Sequence, residues 1–177
     1  CKINFLDTPG SEEFVGEIDQ DLAVVDGAVV LIDATKGIEV GTERVWDELR
    51  KRNIPTIILV NKLNKENVKL QKIVESVVEG FGAKAMPITY PIGTDNNLQG
   101  YFNVLNGKAY INGAETALPA DLADKCEELK AGVLEVAAGA SEELLEKFLM
   151  EEPLTEEELT FGVKSAVANN ELFPVLV

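Results

Sequence analysis

The chain has 177 residues, 46% hydrophobic and 27% charged, with a formal net charge of −15 and no histidine. Its length suits one domain, or a domain with an insertion, around a sizeable core. So acidic a surface repels phosphates and argues against direct electrostatic capture of nucleic acid, and without imidazole no His-ligated metal or His general base is available.

The apolar run at 28–32 is far shorter than a membrane span, and no basic-then-apolar leader opens the chain. Cys1 and Cys126 supply neither a disulfide framework nor a metal-ligand spacing. A reducing, cytoplasmic setting is expected, with no membrane partner. The acidic charge serves solubility, and a basic protein partner fits it better than a nucleic acid does.

In chain order, residues 3–6 read as a strand, Gly10 as a loop, and the stretch to Val25 as an amphipathic helix. GAVVLIDATKG (27–37) is a continuous apolar run closed by Asp, Thr and Gly, the pattern of a buried parallel strand. A helix over 42–52 follows, with Val45, Trp46 and Leu49 at helical spacing. PTIILVNKLN (55–64) is a second buried strand. Strands alternating with helices, with polar residues where each strand ends, predict a doubly wound α/β sheet. Trp46 is expected to pack between helix and sheet, and Lys36 and Gly37 to shape a turn.

A further helix is expected over 68–81, with Leu70, Ile73, Val77 and Val78 on one face. Residues 83–93 and 100–111 read as strands, the second interrupted by Asn106-Gly107, a strong hairpin signal. Residues 112–120 read as a loop. Two or three acidic helices follow between 120 and 169, with Cys126 half-buried on one of them. The last carries a capping box of Thr155 and Glu158, with Leu154 placed to staple against Leu159. Residues 171–177 form a final buried strand. No internal repeat, low-complexity tract or flexible linker is visible.

Two loops carry chemistry. Asp7-x-x-Gly10 after a strand lets a carboxylate reach Mg²⁺ through water while the glycine amide donates to a γ-phosphate. Alone, that pattern equally describes an ordinary acidic turn. Asn61-Lys62-x-Asn64 closes another strand. In a guanine site an Asn holds the base edge and loop, and a Lys stem lies over the ring. An acidic residue three after the Asn accepts from the base N1–H and exocyclic amine. The two motifs, in this order at strand ends, point together to a guanine nucleotide. Glu12 and Glu13 read as first-turn residues favourable to a helix dipole rather than as a general base.

DTPG (7–10), VVDGAVVLIDATKGIEVGTERVW (24–46), IPTIILVNKLNKEN (54–67), PIGTDNNLQGYFNVLNGKAYI (91–111) and SEELLEKFLMEEPLTEEEL (141–159) together resemble the G domain of translation elongation factor G or of a divergent paralogue. The resemblance runs from Ile3 to Val177. It implies an α/β fold, a P-loop GTPase-type doubly wound sheet, with residues 1–82 and 155–177 as the core and 83–154 as an inserted α+β subdomain. It further implies a ribosome-associated translational GTPase that binds GTP or GDP with Mg²⁺. The implied nucleotide-binding residues are Asp7, Thr8, Pro9, Gly10, Asn61, Lys62 and Asn64, with Asp7 reaching Mg²⁺ through water. In the family the inserted subdomain is associated with the acidic ribosomal stalk protein, so ribosome and stalk are the implied partners.

Three departures qualify this resemblance. Ser11 stands at the catalytic position where the family has a His that positions the attacking water, so hydrolysis is expected to be slow. Asn64 stands where the family has Asp, so guanine selectivity is expected to be weak. No G-x-x-x-x-G-K-[ST] motif occurs in the 177 residues. The family's phosphate loop and first switch are expected ahead of Cys1 and its Ser-Ala loop after Val177, which reads the chain as a G domain lacking its first strands. The strands ending at Asp7 and near Asp33 would then need either a sheet that closes differently or another chain to cover their edges. Two readings follow: a GTPase fragment that is inactive in isolation and binds nucleotide feebly, or a non-hydrolysing degenerate G domain that serves as a ribosome- or stalk-docking module.

Overall fold

Two β-branched runs bounded by polar residues set the first sheet. A computed structural model describes residues 2–8, 15–95 and 97–177. A short helix α1 (Val15–Asp21) leads into β1 (Ala28–Asp33), α2 (Val40–Lys51), β2 (Thr56–Asn61), α3 (Leu70–Phe81) and β3 (Ala85–Pro87). β1 and β2 pair in parallel from Ala28↔Thr56 to Asp33↔Asn61. The last strand, β8 (Phe173–Leu176), inserts between β2 and β3, giving the parallel order β1-β2-β8-β3. Parallel neighbours joined through helices are the doubly wound α/β arrangement read from the sequence.

Residues 3–6 do not form the expected strand. They are irregular and exposed, Phe5 at 87%. Among the described residues the only strand that ladders with β1 is β2, and residues 3–6 pair with no strand. Val29 and Leu31 accordingly stay 54% and 62% exposed on the edge strand. The expected helix toward Val25 is present as the shorter α1.

The core of the first sheet gathers Ile32, Leu49, Ile58, Val60, Val77 and Val175 from strands and flanking helices. At its flank Trp46 lies 4.4 Å from the Phe81 ring and 4.9 Å from Phe173, centroid to centroid. The Arg50 guanidinium covers Trp46 at 4.4 Å and Phe173 at 4.1 Å, a cation–π arrangement. Its nitrogens donate to Asn170 Oδ1 at 2.6 Å, to the Ile54 carbonyl at 2.7 Å and to the Thr56 hydroxyl. Trp46 thus packs between helix and sheet as expected. The Lys36–Gly37 turn also forms, with both amides donating to the Asp33 carbonyl at 2.9 and 2.8 Å.

The expected strand over 83–93 divides at Ile88. Its first part is β3, in the first sheet. Its second part, β4 (Thr89–Thr94), begins a separate antiparallel sheet with β5 (Asn97–Asn103), β6 (Ala109–Ile111) and β7 (Ala114–Thr116). Ile88 joins the two: its N–H donates to Val175 of β8, and its carbonyl accepts from Val104, each at 2.9 Å. Asn106-Gly107 falls in a five-residue connection, where Asn103 Oδ1 accepts from the Leu105 amide at 2.8 Å. The tight two-residue hairpin is instead at Asn112-Gly113, with φ of 51° and 80°, as a type I′ turn requires. The stretch read as a loop over 112–120 therefore contains β7.

Close backbone approach, rather than turn geometry, dictates Gly100 in β5. A Cβ there would lie 1.9 Å from the Tyr110 carbonyl oxygen of the paired strand β6. Gly100→Ala is expected to lower stability by about 1–3 kcal/mol, the usual range for overpacking. Thermal melting against the unmodified chain checks this, and an unchanged midpoint would contradict it.

Three acidic helices follow: α4 (Ala123–Ala138), α5 (Glu142–Leu149) and α6 (Glu156–Ala168). α6 starts with the expected capping box, Glu158 N–H donating to Thr155 Oγ1 at 3.2 Å and Thr155 N–H to Glu158 Oε2 at 2.9 Å. Lys147 of α5 bonds the same carboxylate; that ammonium first, and the cap second, bring the Glu158 pKa down to about 2. Cys126 is fully buried rather than half-buried. It faces Phe102, Val104 and Tyr90, and burial raises its thiol pKa.

Candidate functional site at the carboxyl ends of the strands

β2 ends in the polar residues that the sequence singled out. Asn61 closes the strand, and its Oδ1 accepts from the Lys62 amide at 2.7 Å. Lys62 then takes a left-handed conformation at φ 63°, uncommon for a residue with a side chain. The chain turns over Leu63, which is buried at 5% exposure and anchors the loop, while Asn64 faces solvent. Lys65 N–H closes the turn on the Lys62 carbonyl at 3.1 Å. One buried apolar residue between two exposed polar ones thus holds Asn61, Lys62 and Asn64 around a single turn.

Sequence reasoning missed what lies alongside. Asp33 ends β1 directly opposite Asn61 in register. Its Oδ2 accepts from the Lys62 ammonium at 2.6 Å. Its Oδ1 accepts from the Thr35 amide at 2.9 Å and from the Thr35 hydroxyl at 2.6 Å. The Lys62 ammonium above all, and Thr35 next, hold this carboxyl well below the usual carboxylate range. The available signal was an Asp with a Thr two residues on, a local side-chain-to-backbone turn at a strand end.

Of the other motif only Asp7 and Thr8 are described, and no bond ties either to this turn. Asp7 is exposed, and the Thr8 hydroxyl donates to Asp21 Oδ2 at 3.0 Å, at the end of α1. Asp19 of the same helix pairs with Arg52 at 2.9 Å, just ahead of β2. Thr8 is therefore tied toward the amino ends of the strands, whereas Asn61, Lys62 and Asn64 lie at their carboxyl ends. Pro9, Gly10, Ser11, Glu12 and Glu13 lie outside the described residues.

The donor set suits a nucleobase better than a cation. Amide groups and an alkyl-ammonium stem at strand ends offer directional bonds and an apolar strip for a ring. Among the described residues no group of three or more Cys, Asp or Glu is placed to hold a metal ion. Nor, among them, is any helix long and apolar enough to cross a membrane. Ligand crevices of open α/β sheets lie outside the carboxyl ends of the strands, where this turn is.

Comparison with known proteins gives the family. Residues 1–176 match the elongation factor Tu GTP binding domain family. A crystal structure of a protein from Thermus thermophilus superposes with a TM-score of 0.84 at 33% identity, over 96% of this chain and 26% of that one. The chain thus spans about a quarter of the length of that relative. From the parallel sheet, the polar turn at the end of β2 and a match along nearly its whole length, the chain belongs to the elongation factor Tu GTP-binding domain family.

Proposed function

We propose that the chain is the G domain of a ribosome-associated translational GTPase of the elongation-factor-G type, working in the cytoplasm. Residues 1–82 and 155–177 would form its nucleotide-binding core, and 83–154 an inserted subdomain whose β3 returns to the first sheet. The observation that carries this reading is the turn that displays Asn61, Lys62 and Asn64 together at the carboxyl end of β2. In this reading Asn61 holds the base edge and the loop, Lys62 lays its stem along the ring, and Asn64 meets the base. The same reading gives Asp7, Thr8, Pro9 and Gly10 to the phosphate side of the site, with Asp7 reaching Mg²⁺ through water, an arrangement that requires Thr8 to leave its bond to Asp21. A bound GTP would supply the scissile phosphoanhydride, and Mg²⁺ would offset its charge. What this chain's own residues contribute at the described turn is recognition of the base.

Asn64 makes that recognition testable. An Asp accepts from both the guanine N1–H and its exocyclic amine, whereas the Asn64 amide sets a donor against that amine. Losing a charge-assisted bond and stranding a donor costs about 1–3 kcal/mol. Asn64→Asp in the full-length gene product is therefore expected to tighten GDP binding about fivefold to 150-fold. The unmodified protein is expected to favour xanthosine diphosphate, whose oxygen replaces the amine. Titration of both nucleotides reads this directly. A strong preference of the unmodified protein for GDP would refute the assignment of Asn64.

A second reading, a non-hydrolysing module that docks on the ribosome or its stalk, draws support from one surface feature. Leu145, Leu149, Met150 and Phe161 are exposed on and around α5 and α6, among a run of glutamates. Exposed apolar residues rimmed by charge are common in protein contacts.

A further inference from the structure

We infer that Asp33 is a positioning residue for the nucleoside, acting through Lys62. This rests on the nucleotide-binding reading of the Asn61–Asn64 turn. Asp33 and Asn61 are register partners on adjacent parallel strands, so their side chains leave the sheet at the same level. Lys62, the first residue after β2, reaches back across to β1 and places its ammonium 2.6 Å from Asp33 Oδ2. Its methylene stem therefore lies across the two strand ends instead of extending into solvent.

Three features hold it there. The left-handed backbone at Lys62 directs the side chain, and the Asn61 carboxamide oxygen secures that backbone through the Lys62 N–H. Thr35 secures the carboxylate by engaging its other oxygen twice. The Asp33 side chain is 19% exposed, whereas that of Lys62 remains 52% exposed. The carboxylate anchor is the more covered partner and the lysine side chain the more open, as a platform for a planar base needs. A free lysine loses rotamer freedom when a ligand covers it, and one already held by Asp33 has less to lose.

The ligand class that this platform fits is a purine nucleotide, its base over the stem and its edge on Asn61 and Asn64. The ammonium is spent on Asp33, so its charge is largely neutralised before any ligand arrives. Recognition through the stem is then apolar and geometric, with little long-range attraction for phosphate.

The test is a double-mutant cycle in the full-length gene product, with GDP as the probe, using Asp33→Asn, Lys62→Met and their combination. Asp33→Asn keeps the shape and an acceptor for Thr35 but loses the charge that holds the ammonium. It is expected to weaken GDP binding about three- to tenfold, within the usual span for a partly exposed, charge-assisted contact. In the Lys62→Met background the same change is expected to do nothing, because the residue through which Asp33 acts is gone. Nuclear magnetic resonance of the Lys62 side chain gives a readout independent of ligand: the Nζ and Cε signals should show a restrained ammonium, and Asp33→Asn should release it. Equal GDP affinity for the unmodified protein and Asp33→Asn overturns the inference, and so does an equal loss in the Lys62→Met background. If the unmodified protein fails to bind GDP at all, the nucleotide reading falls first and takes the positioning role with it, so the two failures are separable.

Discussion

Trp46→Ala is expected to destabilise the chain by about 3 kcal/mol, near the lower end of the range for removing a large aromatic from a packed site. Trp46 is the only tryptophan, and it joins three elements at once. From α2 its ring meets Phe81 at the end of α3 and Phe173 in β8. It also carries one face of the Arg50 stack, whose guanidinium ties α2 to the Ile54 carbonyl and, through Asn170, to the loop before β8. Among the described residues the buried Arg50 Nε has no hydrogen-bond partner, so the ring faces are what cover it. Removing the indole leaves a cavity and uncovers that polar atom, and the two effects add in sign. Denaturant unfolding followed by far-ultraviolet circular dichroism measures the loss, since the variant has no indole fluorescence. Trp46→Phe should recover most of it. A midpoint within error of the unmodified chain would mean that the ring cluster contributes little.

On the proposed translational-GTPase reading, Ser11→His is expected to raise ribosome-stimulated GTP hydrolysis by the full-length gene product about 10²–10⁴-fold, the range for a positioned acid–base group. Phosphoryl transfer depends mostly on positioning and on electrostatics around the transferring group. The resemblance places a water-positioning His directly after the DTPG stretch, and serine is shorter and uncharged. No histidine elsewhere in the 177 residues can substitute. Single-turnover hydrolysis with ribosomes measures the gain, and its pH profile identifies the cause. The added activity should rise through about pH 6.5 as the new imidazole loses its proton, a limb that the unmodified protein lacks. Rapid hydrolysis by the unmodified protein, undiminished in Ser11→Ala, would show that another group orients the water.

The two proposed roles thus make separate demands: in that reading Asn64→Asp tests which base is held, and Ser11→His tests what happens to the phosphate. Asp33 bears on neither chemistry directly; its effect runs through the stance of Lys62.

Features that act over a few residues were legible in the chain itself. The apolar runs at 28–32 and 57–60 became parallel strands, being rich in the β-branched residues that strands favour, although Val29 and Leu31 leave one face of β1 exposed. The capping box at Thr155 formed because its two hydrogen bonds lie within one helical turn. The polar turn after β2 was readable for the same reason: Asn61, Lys62 and Asn64 are near neighbours in the chain. Pairings were a different matter, set by the assembled fold. Residues 3–6 have a strand's composition and, among the described residues, no strand pairs with them. Residues 83–93 read as one strand and serve two sheets, because Ile88 bonds to both. Of two Asn-Gly pairs, the tight hairpin fell to Asn112-Gly113, where β6 and β7 meet in register. The Asp33–Lys62 bond spans 29 positions and exists only because β1 lies beside β2. Periodicity and caps are carried by adjacent residues, whereas a ladder, a strand register or a cross-strand ion pair needs a partner whose place is set by the whole fold.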